Sequence, residues 1–306
     1  MVDILMATYN GEKHVKNQIL SILQQTYDNF RLLIRDDGSC DNTVNIVREI
    51  SKFDSRICLI EEGDGQRLGP GRNFLGLLAY ATSDYAMFCD QDDIWFEKKL
   101  EILVHFAERH FDPLIPNLVY CDAYAYSDID GVIDMESVSK LHAKNLQEFI
   151  FFNAGYQGSS MLFNAALISS LNNYKAKYFY MHDDIVSLFA HIFGVVYFVP
   201  KKLMLYRQHE SNVTGNLKNN FSKRIKKLID RTSYVLNKYH YEEKKSFFEA
   251  YESMLSDEDK KIFNFYIEFP FMSRKDRLKN AWTNRCSYGG NRFFLLLKIL
   301  LQNPIS

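Results

Sequence analysis

Tyr85-Ala86-Met87-Phe88-Cys89-Asp90-Gln91-Asp92-Asp93-Ile94-Trp95 is an apolar run that breaks off into three carboxylates within four residues. Such a run bounded by charge reads as a buried strand. In an open α/β sheet ligands bind beyond the carboxyl ends of the strands, so this strand would deliver Asp90 and Asp92 into the binding crevice. Carboxylates that close repel one another. The arrangement becomes favourable when a hard divalent cation, Mg²⁺ or Mn²⁺, sits between them and a diphosphate. The competing reading is an acidic loop in which Asp93 merely N-caps a helix beginning near Phe96.

Upstream, residues 2 to 8 read as a first strand, and Tyr9-Asn10-Gly11-Glu12 as a turn into a helix with Val15, Ile19, Ile22 and Leu23 on one face. Phe30 to Arg35 is a second strand running into Asp36-Asp37-Gly38-Ser39, and Asp41-Asn42-Thr43 can cap a helix. Ile57 to Ile60 is a third. Strands separated by helix-length segments imply right-handed βαβ units and a parallel sheet. The glycine-rich loop from Gly63 to Asn73 could approach a ligand closely, and Arg67 and Arg72 on or beside it could reach a diphosphate.

Downstream come a helix from about Phe96 to His110, a strand at Leu118 to Ala123, and a turn at Asp128-Ile129-Asp130-Gly131. Residues 132 to 147 are loosely patterned, as a substrate-covering loop would be. Gly158 to Phe163 reads as a short strand with small residues at its start. His182-Asp183-Asp184 opens an apolar helix, and Val195 to Val199 and Leu203 to Tyr206 read as strands. On helical geometry Asp183 and Asp184 point about 100° apart, so one faces the crevice and the other caps the helix.

A chain of 306 residues, 47% hydrophobic, buries a large core and is not disordered. Its 5 cysteines are odd in number, scattered and without a Cys-x-x-Cys pair, which argues against a disulfide framework and a zinc site. No signal pattern opens the chain, because Asp3 interrupts the first apolar run, and no stretch has the length of a membrane span. These features imply a cytoplasmic protein. Residues 216–306 hold 18 Lys and Arg against 10 Asp and Glu, +8, leaving 19 against 28, or −9, for residues 1–215. An acidic body with a basic tail suggests an anionic partner for the tail, and the apolar run Phe293 to Leu301 could lie on a bilayer or dock on the body. Peripheral contact with the inner face of the plasma membrane is therefore expected. Nucleic acid is not, since nothing in the basic segment resembles a groove-reading element.

Four pieces together resemble the inverting family 2 glycosyltransferases: Ala7-Thr8-Tyr9-Asn10-Gly11-Glu12, Arg35-Asp36-Asp37-Gly38-Ser39, Asp90-Gln91-Asp92-Asp93-Ile94-Trp95 and His182-Asp183. The resemblance covers roughly residues 1–215. It implies the GT-A fold, an α/β Rossmann-like nucleotide-sugar-binding domain with a mostly parallel sheet, followed here by a basic helical C-terminal region, 216–306. A fifth piece, Tyr206-Arg207-Gln208-His209-Glu210-Ser211-Asn212, resembles the subgroup that includes bacterial rhamnosyltransferases of cell-wall and capsule polysaccharide synthesis.

The resemblance implies roles residue by residue. Thr8, Tyr9, Glu12 and Asp37 would hold the nucleoside, with Asp37 accepting from the pyrimidine N3–H and Tyr9 stacking on or near the ring; Arg72 and Asp90 would meet the diphosphate. Asp90, Asp92 and His209 would hold Mn²⁺ or Mg²⁺, and Asp183 would be the base. His182 stands where the family usually has an acidic residue, which leaves open which neighbour tunes that base. A helix N-terminus would hold Asp183 ionised. The implied activity is transfer of L-rhamnose from dTDP-L-rhamnose, or of a hexose or N-acetylhexosamine from a UDP donor, to a saccharide acceptor, plausibly polyprenyl-diphosphate-linked; a homodimer is compatible with this. Two rivals belong to other classes. A Rossmann dehydrogenase needs Gly-x-Gly-x-x-Gly after the first strand, which this chain lacks, and a non-catalytic scaffold partner gains little from an intact set of Asp90, Asp92, Asp183 and His209.

Overall fold

The strand that ends at Asp90 lies in the middle of a nine-stranded mixed sheet. The structure is a computed structural model, which describes residues 1–61, 67–134, 137–208 and 232–306. In chain order its strands and helices are β1 (Val2–Thr8), α1 (Val15–Leu23), β2 (Phe30–Asp36), α2 (Thr43–Ser51), β3 (Ile57–Leu59), α3 (Pro70–Leu78), β4 (Tyr85–Cys89), β5 (Ile94–Trp95), α4 (Lys99–His110), β6 (Asn117–Ser127), β7 (Gly131–Asp134), α5 (Leu146–Phe149), β8 (Met161–Asn164), α6 (Ala165–Asn172), α7 (His182–Phe193) and β9 (Val195–Arg207). The sheet order is β3-β2-β1-β4-β8-β6-β9-β5, with β7 on β6. The first four strands in that order are parallel. Then β8 runs against both β4 and β6, β9 runs parallel to β6, and the short β5 and β7 run antiparallel to their partners. Most strands thus share one direction, as the GT-A expectation requires.

Alternation along each central strand builds two cores, one per face of the sheet. Ile4, Met6, Leu32, Ile34, Met87 and Cys89 face α1, α2 and α4, where Val15, Ile19, Val47, Leu100 and Leu103 meet them. Leu5, Leu33, Ala86 and Phe88 face α3, α6 and α7. Asp3, fully buried within β1, is satisfied by Arg31 at 2.8 Å and by the Thr82 and Ser83 amides.

Sequence and structure differ at boundaries. The two short strands expected within 195–206 are one long strand, β9, whose pairing with β6 shifts register at Cys121 and Asp122. Gly158–Ser160 is a 3₁₀ turn rather than the start of a strand, and the strand begins at Met161. Phe96 lies before α4, which starts at Lys99.

The C-terminal part holds β10 (Tyr234–Leu236), α8 (Lys238–Tyr251), α9 (Asp257–Glu268), α10 (Arg274–Thr283), α11 (Arg292–Leu301) and β11 (Asn303–Ile305). Its Phe247, Phe263, Tyr266, Phe269, Leu295 and Ile299 belong to the same core cluster as Phe74, Phe88 and Phe189. The expected boundary near residue 215 lies outside the described residues. Among the described residues no helix is long and apolar enough to cross a membrane.

Candidate functional site

The strand-end carboxylates have three different environments. Asp93, 1% exposed, accepts from Ser159 Oγ at 2.8 Å and from the Arg207 amide at 3.1 Å. Burial, then the charges of Asp90 and Asp92, drives its carboxyl well above the usual range. It does not cap α4, whose N-cap is Lys98 with no side-chain cap bond; Asp93 is a pin between the 3₁₀ turn and the end of β9. Asp90 is pushed up to about 7 by burial and next by Asp92. Beneath them Lys99 is wholly buried, its ammonium donating to Ser159 O at 2.6 Å and lying 3.6 Å from the Trp95 ring centre. Burial lowers it to about 8, while Asp93 and Asp90 are among the charges that oppose the fall. Arg207 donates through Nε to Asp92 O at 2.5 Å and pairs with Asp128.

Gln91 is a functional residue that its place between aspartates hides. Its Oε1 accepts from Tyr9 N and its Nε2 donates to Tyr9 O, each at 2.9 Å, so a side-chain amide splices the ends of β1 and β4 together. The side chain crosses Gly11, where an added Cβ would lie 2.1 Å from Oε1.

On the nucleoside side, Thr8 Oγ1 donates to Asp36 at 2.8 Å, and Asp36 also accepts from Gly38 N, Ser39 N and Ser39 Oγ. Asp37, only 3% exposed, accepts from Leu68 N at 2.7 Å and Gly69 N at 2.8 Å, so its carboxylate also ties down the residues that lead into α3. The more open Asp36 is the carboxylate beside Thr8. The face of Tyr9 is covered by the Arg67 guanidinium, 3.9 Å from the ring centre. Glu12 is exposed and accepts from Asn42 N at 3.0 Å at the start of α2. Arg72 is exposed on the first turn of α3.

Across the crevice, α7 begins at His182. Its ring stacks on Phe74 at 4.2 Å and meets Phe88 edge-on at 4.8 Å, which seats α7 against the strand that carries Asp90. Burial lowers His182 to about 3, so the ring is neutral, and neither ring nitrogen has a hydrogen-bond partner. Asp183 is 9% exposed and accepts from Asp184 N at 2.9 Å. Burial, then the Asp184 charge, with a smaller contribution from Asp90, pushes it up to about 7. This reverses the expectation that the helix N-terminus would hold it ionised, because desolvation outweighs a single backbone hydrogen bond. Asp184 is not the expected cap either. Its carboxylate accepts from His240 Nδ1 at 2.7 Å and pairs with Lys244 Nζ at 3.2 Å, both on α8.

His209 lies outside the described residues. Asp90, Asp92, Asp93 and Asp183 form an oxygen-rich, acidic site whose described buried cations are Lys99 and Arg207. An all-oxygen donor pair at a strand end fits a hard divalent cation.

Strand-end carboxylates in a parallel-stranded α/β sheet, with a glycine-rich loop tied to the second strand, define the class: a GT-A nucleotide-sugar transferase. The chain belongs to glycosyl transferase family 2, whose family model matches residues 3–156, and it is a glycosyltransferase that acts on nucleotide sugars. It is 31% identical to the dTDP-rhamnosyl transferase RfbG of Shigella flexneri over 78% of this chain and 81% of that protein. It is 41% identical, over 34% of this chain and 40% of the relative, to WfgD of Escherichia coli, a UDP-Glc:alpha-D-GlcNAc-diphosphoundecaprenol beta-1,3-glucosyltransferase. Among solved structures, the mannosyltransferase PcManGT from Pyrobaculum calidifontis, in complex with GDP-Man and Mn²⁺, shares the fold with a TM-score of 0.55 at 15% identity, over 92% of this chain and 73% of that one.

Proposed function

We propose that this chain is a metal-dependent inverting rhamnosyltransferase of cell-surface polysaccharide synthesis, taking L-rhamnose from dTDP-L-rhamnose to a saccharide carried on a polyprenyl diphosphate. The observation that carries the chemistry is the nearness of Asp90, at the end of β4, to Asp183, at the start of α7: both are buried carboxyls, and Asp90 is among the charges that help raise Asp183 to about 7. A carboxylate with its midpoint near neutrality is suited to take a proton at physiological pH. Asp183 accepts the proton of the acceptor hydroxyl as that oxygen bonds to the anomeric carbon. The bond from that carbon to the diphosphate oxygen breaks on the opposite face, and its electron pair leaves with the nucleoside diphosphate. Asp90 and Asp92, with His209 as a third ligand, would hold a divalent cation, which would supply positive charge against the leaving diphosphate. Thr8, Tyr9, Glu12 and Asp37 hold the nucleoside in this reading, with Asp36 beside Thr8, and Arg72 and Asp90 lie on the diphosphate side.

The donor assignment rests on likeness to RfbG along most of the chain. The UDP-glucose relative supports a UDP-hexose as the second candidate, and its named acceptor supports a diphosphate-lipid carrier. The outer face of α11 suits that carrier. Leu295 and Ile299 point inward, while Phe293, Leu297, Leu300 and Leu301 form an exposed apolar stripe with the spacing of one helical face. Beside it α10 exposes Arg274, Lys275 and Lys279. Apolar residues flanked by cations suit the surface of an anionic bilayer. The test is release of nucleotide from a panel of dTDP-, UDP- and GDP-sugars with Mn²⁺, with and without a polyprenyl-linked acceptor. Release from dTDP-L-rhamnose above all others is expected, and release from none rejects the reading.

A further inference from the structure

The segment between α6 and α7, residues 173–181, has no regular structure of its own, so its backbone amides need acceptors from elsewhere. One helix supplies them for four of these amides. Lys175 N donates to the Tyr251 hydroxyl at 2.9 Å and Tyr178 N to Ser246 Oγ at 2.9 Å. Tyr180 N and Met181 N both donate to Glu243 Oε1, at 2.6 and 2.9 Å. All three acceptors belong to α8. The same helix takes hold of α7 itself, because Asp184 is gripped by His240 and Lys244, and Lys244 continues to Phe152 O at 2.6 Å.

The strip is also closed in from the other side. A Cβ added at Gly71, on α3, would lie 2.8 Å from the Phe179 ring and 2.9 Å from Tyr180 O. One added at Gly155 would lie 2.1 Å from Asp183 O. The strip and the first turn of α7 are therefore wedged between the donor side of the crevice and α8. Asp184, His240 and Glu243 could gather around a cation, with ligand atoms within 4.8 Å of one another, but Lys244 already provides the positive charge there.

We infer that α8 is a positioning element of the active site: Glu243, His240 and Lys244 set the entry of α7 and so aim the Asp183 carboxylate at the acceptor hydroxyl. The C-terminal region then completes the catalytic site as well as meeting a surface. This rests on the reading of Asp183 as base. Nothing in α8 needs to touch the substrate, and its effect passes through main-chain placement. A misplacement of about 1 Å is enough to cost about 10²-fold in rate.

The test uses the full chain, with steady-state kinetics of Glu243→Ala, Glu243→Gln and His240→Asn, each also made in the Asp183→Asn background. Glu243→Ala should lower kcat by about 10- to 100-fold with the donor KM within about twofold. Glu243→Gln keeps an oxygen for Tyr180 N and Met181 N, and should recover activity to within about threefold of the parent. In the Asp183→Asn background Glu243→Ala should cost about nothing further, because the group it aims is gone. Equal losses in both backgrounds, a donor KM that rises in step with the loss, or full activity of Glu243→Ala would each overturn the inference. Should Glu243→Ala fail to fold, His240→Asn read in both backgrounds decides by the same criteria. Full turnover by Asp183→Asn alone would instead remove the base reading on which the inference stands.

Discussion

Asp183→Asn separates the chemistry of the base from its cost to the fold. Asp183 has its midpoint at about 7 in the folded chain against a model-compound value of 3.8, because burial and the Asp184 charge disfavour its ionised form. A carboxyl whose folded midpoint is raised contributes stability that is present below the unfolded midpoint and is lost as pH rises toward the folded one. At pH 8 the ionised side chain therefore costs the native state about 4 kcal/mol, and at pH 5 about 2 kcal/mol. Asparagine keeps the acceptor for Asp184 N and carries no charge. Scanning calorimetry with chelator and without nucleotide should then show Asp183→Asn unfolding about 5–10 °C above the parent at pH 8, with the gap about halved at pH 5. Under turnover conditions the same variant should lose about 10²- to 10⁴-fold in kcat and keep its donor KM. The parent's kcat should climb with pH through about 7, and the residual rate of the variant should lose that limb. A variant that is no more stable than the parent at pH 8, or that keeps the acid limb, would refute the assignment.

Four further outcomes are expected. Asp92→Asn should abolish the thermal stabilisation that dTDP or UDP gives with Mn²⁺, whereas a stabilisation indifferent to both the substitution and chelator would remove the metal from the site. Gly11→Ala forces Gln91 off the Tyr9 main chain; the donor KM should rise about tenfold, at about 1.4 kcal/mol per decade, with kcat less affected, and an unchanged KM would show that the splice does not shape the nucleoside pocket. Gly155→Ala brings a methyl group against the Asp183 carbonyl, so kcat should fall further than donor affinity, as isothermal titration with a non-reacting nucleotide can establish. Phe293→Ser with Leu297→Ser should weaken sedimentation with anionic liposomes while leaving turnover of a soluble acceptor analogue unchanged, and a parallel loss of both would mean that the stripe serves the fold.

The sheet was legible because its evidence is local. Each central strand is a short run of Val, Ile, Leu, Met and Phe closed by carboxylates or glycine, and the alternation that splits Leu5 from Ile4 and Met6 is a property of neighbouring residues. The placement of Asp90, Asp92 and Asp183 was legible for a related reason, since each sits at the junction of an apolar segment and a loop. The hold of Asp37 on the loop was not legible because its partners, the Leu68 and Gly69 amides, are about thirty residues away along the chain, and backbone donors carry no side-chain signature. The contacts of Asp93 were hidden in the same way. Its partners come from Ser159 and Arg207, and proximity to α4 alone suggested a cap.

The same argument explains why the acceptor side of the site stayed hidden while the donor side did not. On the side expected to hold the donor, Thr8, Asp36 and Asp90 stand at strand ends, where residue type and position single them out. On the acceptor side, the strip before α7 offers amides, and α8 answers with Tyr251, Ser246 and Glu243. A carboxylate and two hydroxyls on a helix with as many glutamates as lysines look like ordinary surface polarity until the fold buries them. Glu243 and Lys244 are both fully buried, and charges are buried only where partners compensate them. Asp184 illustrates the cost of missing this. Beside Asp183 it looked like a cap, yet its charge, held ionised against burial by Lys244 and His240, is the largest electrostatic influence that raises Asp183 to about 7. The Lys244 charge and the His240 hydrogen bond on α8 that keep Asp184 ionised are thus also what raises the carboxyl of its neighbour.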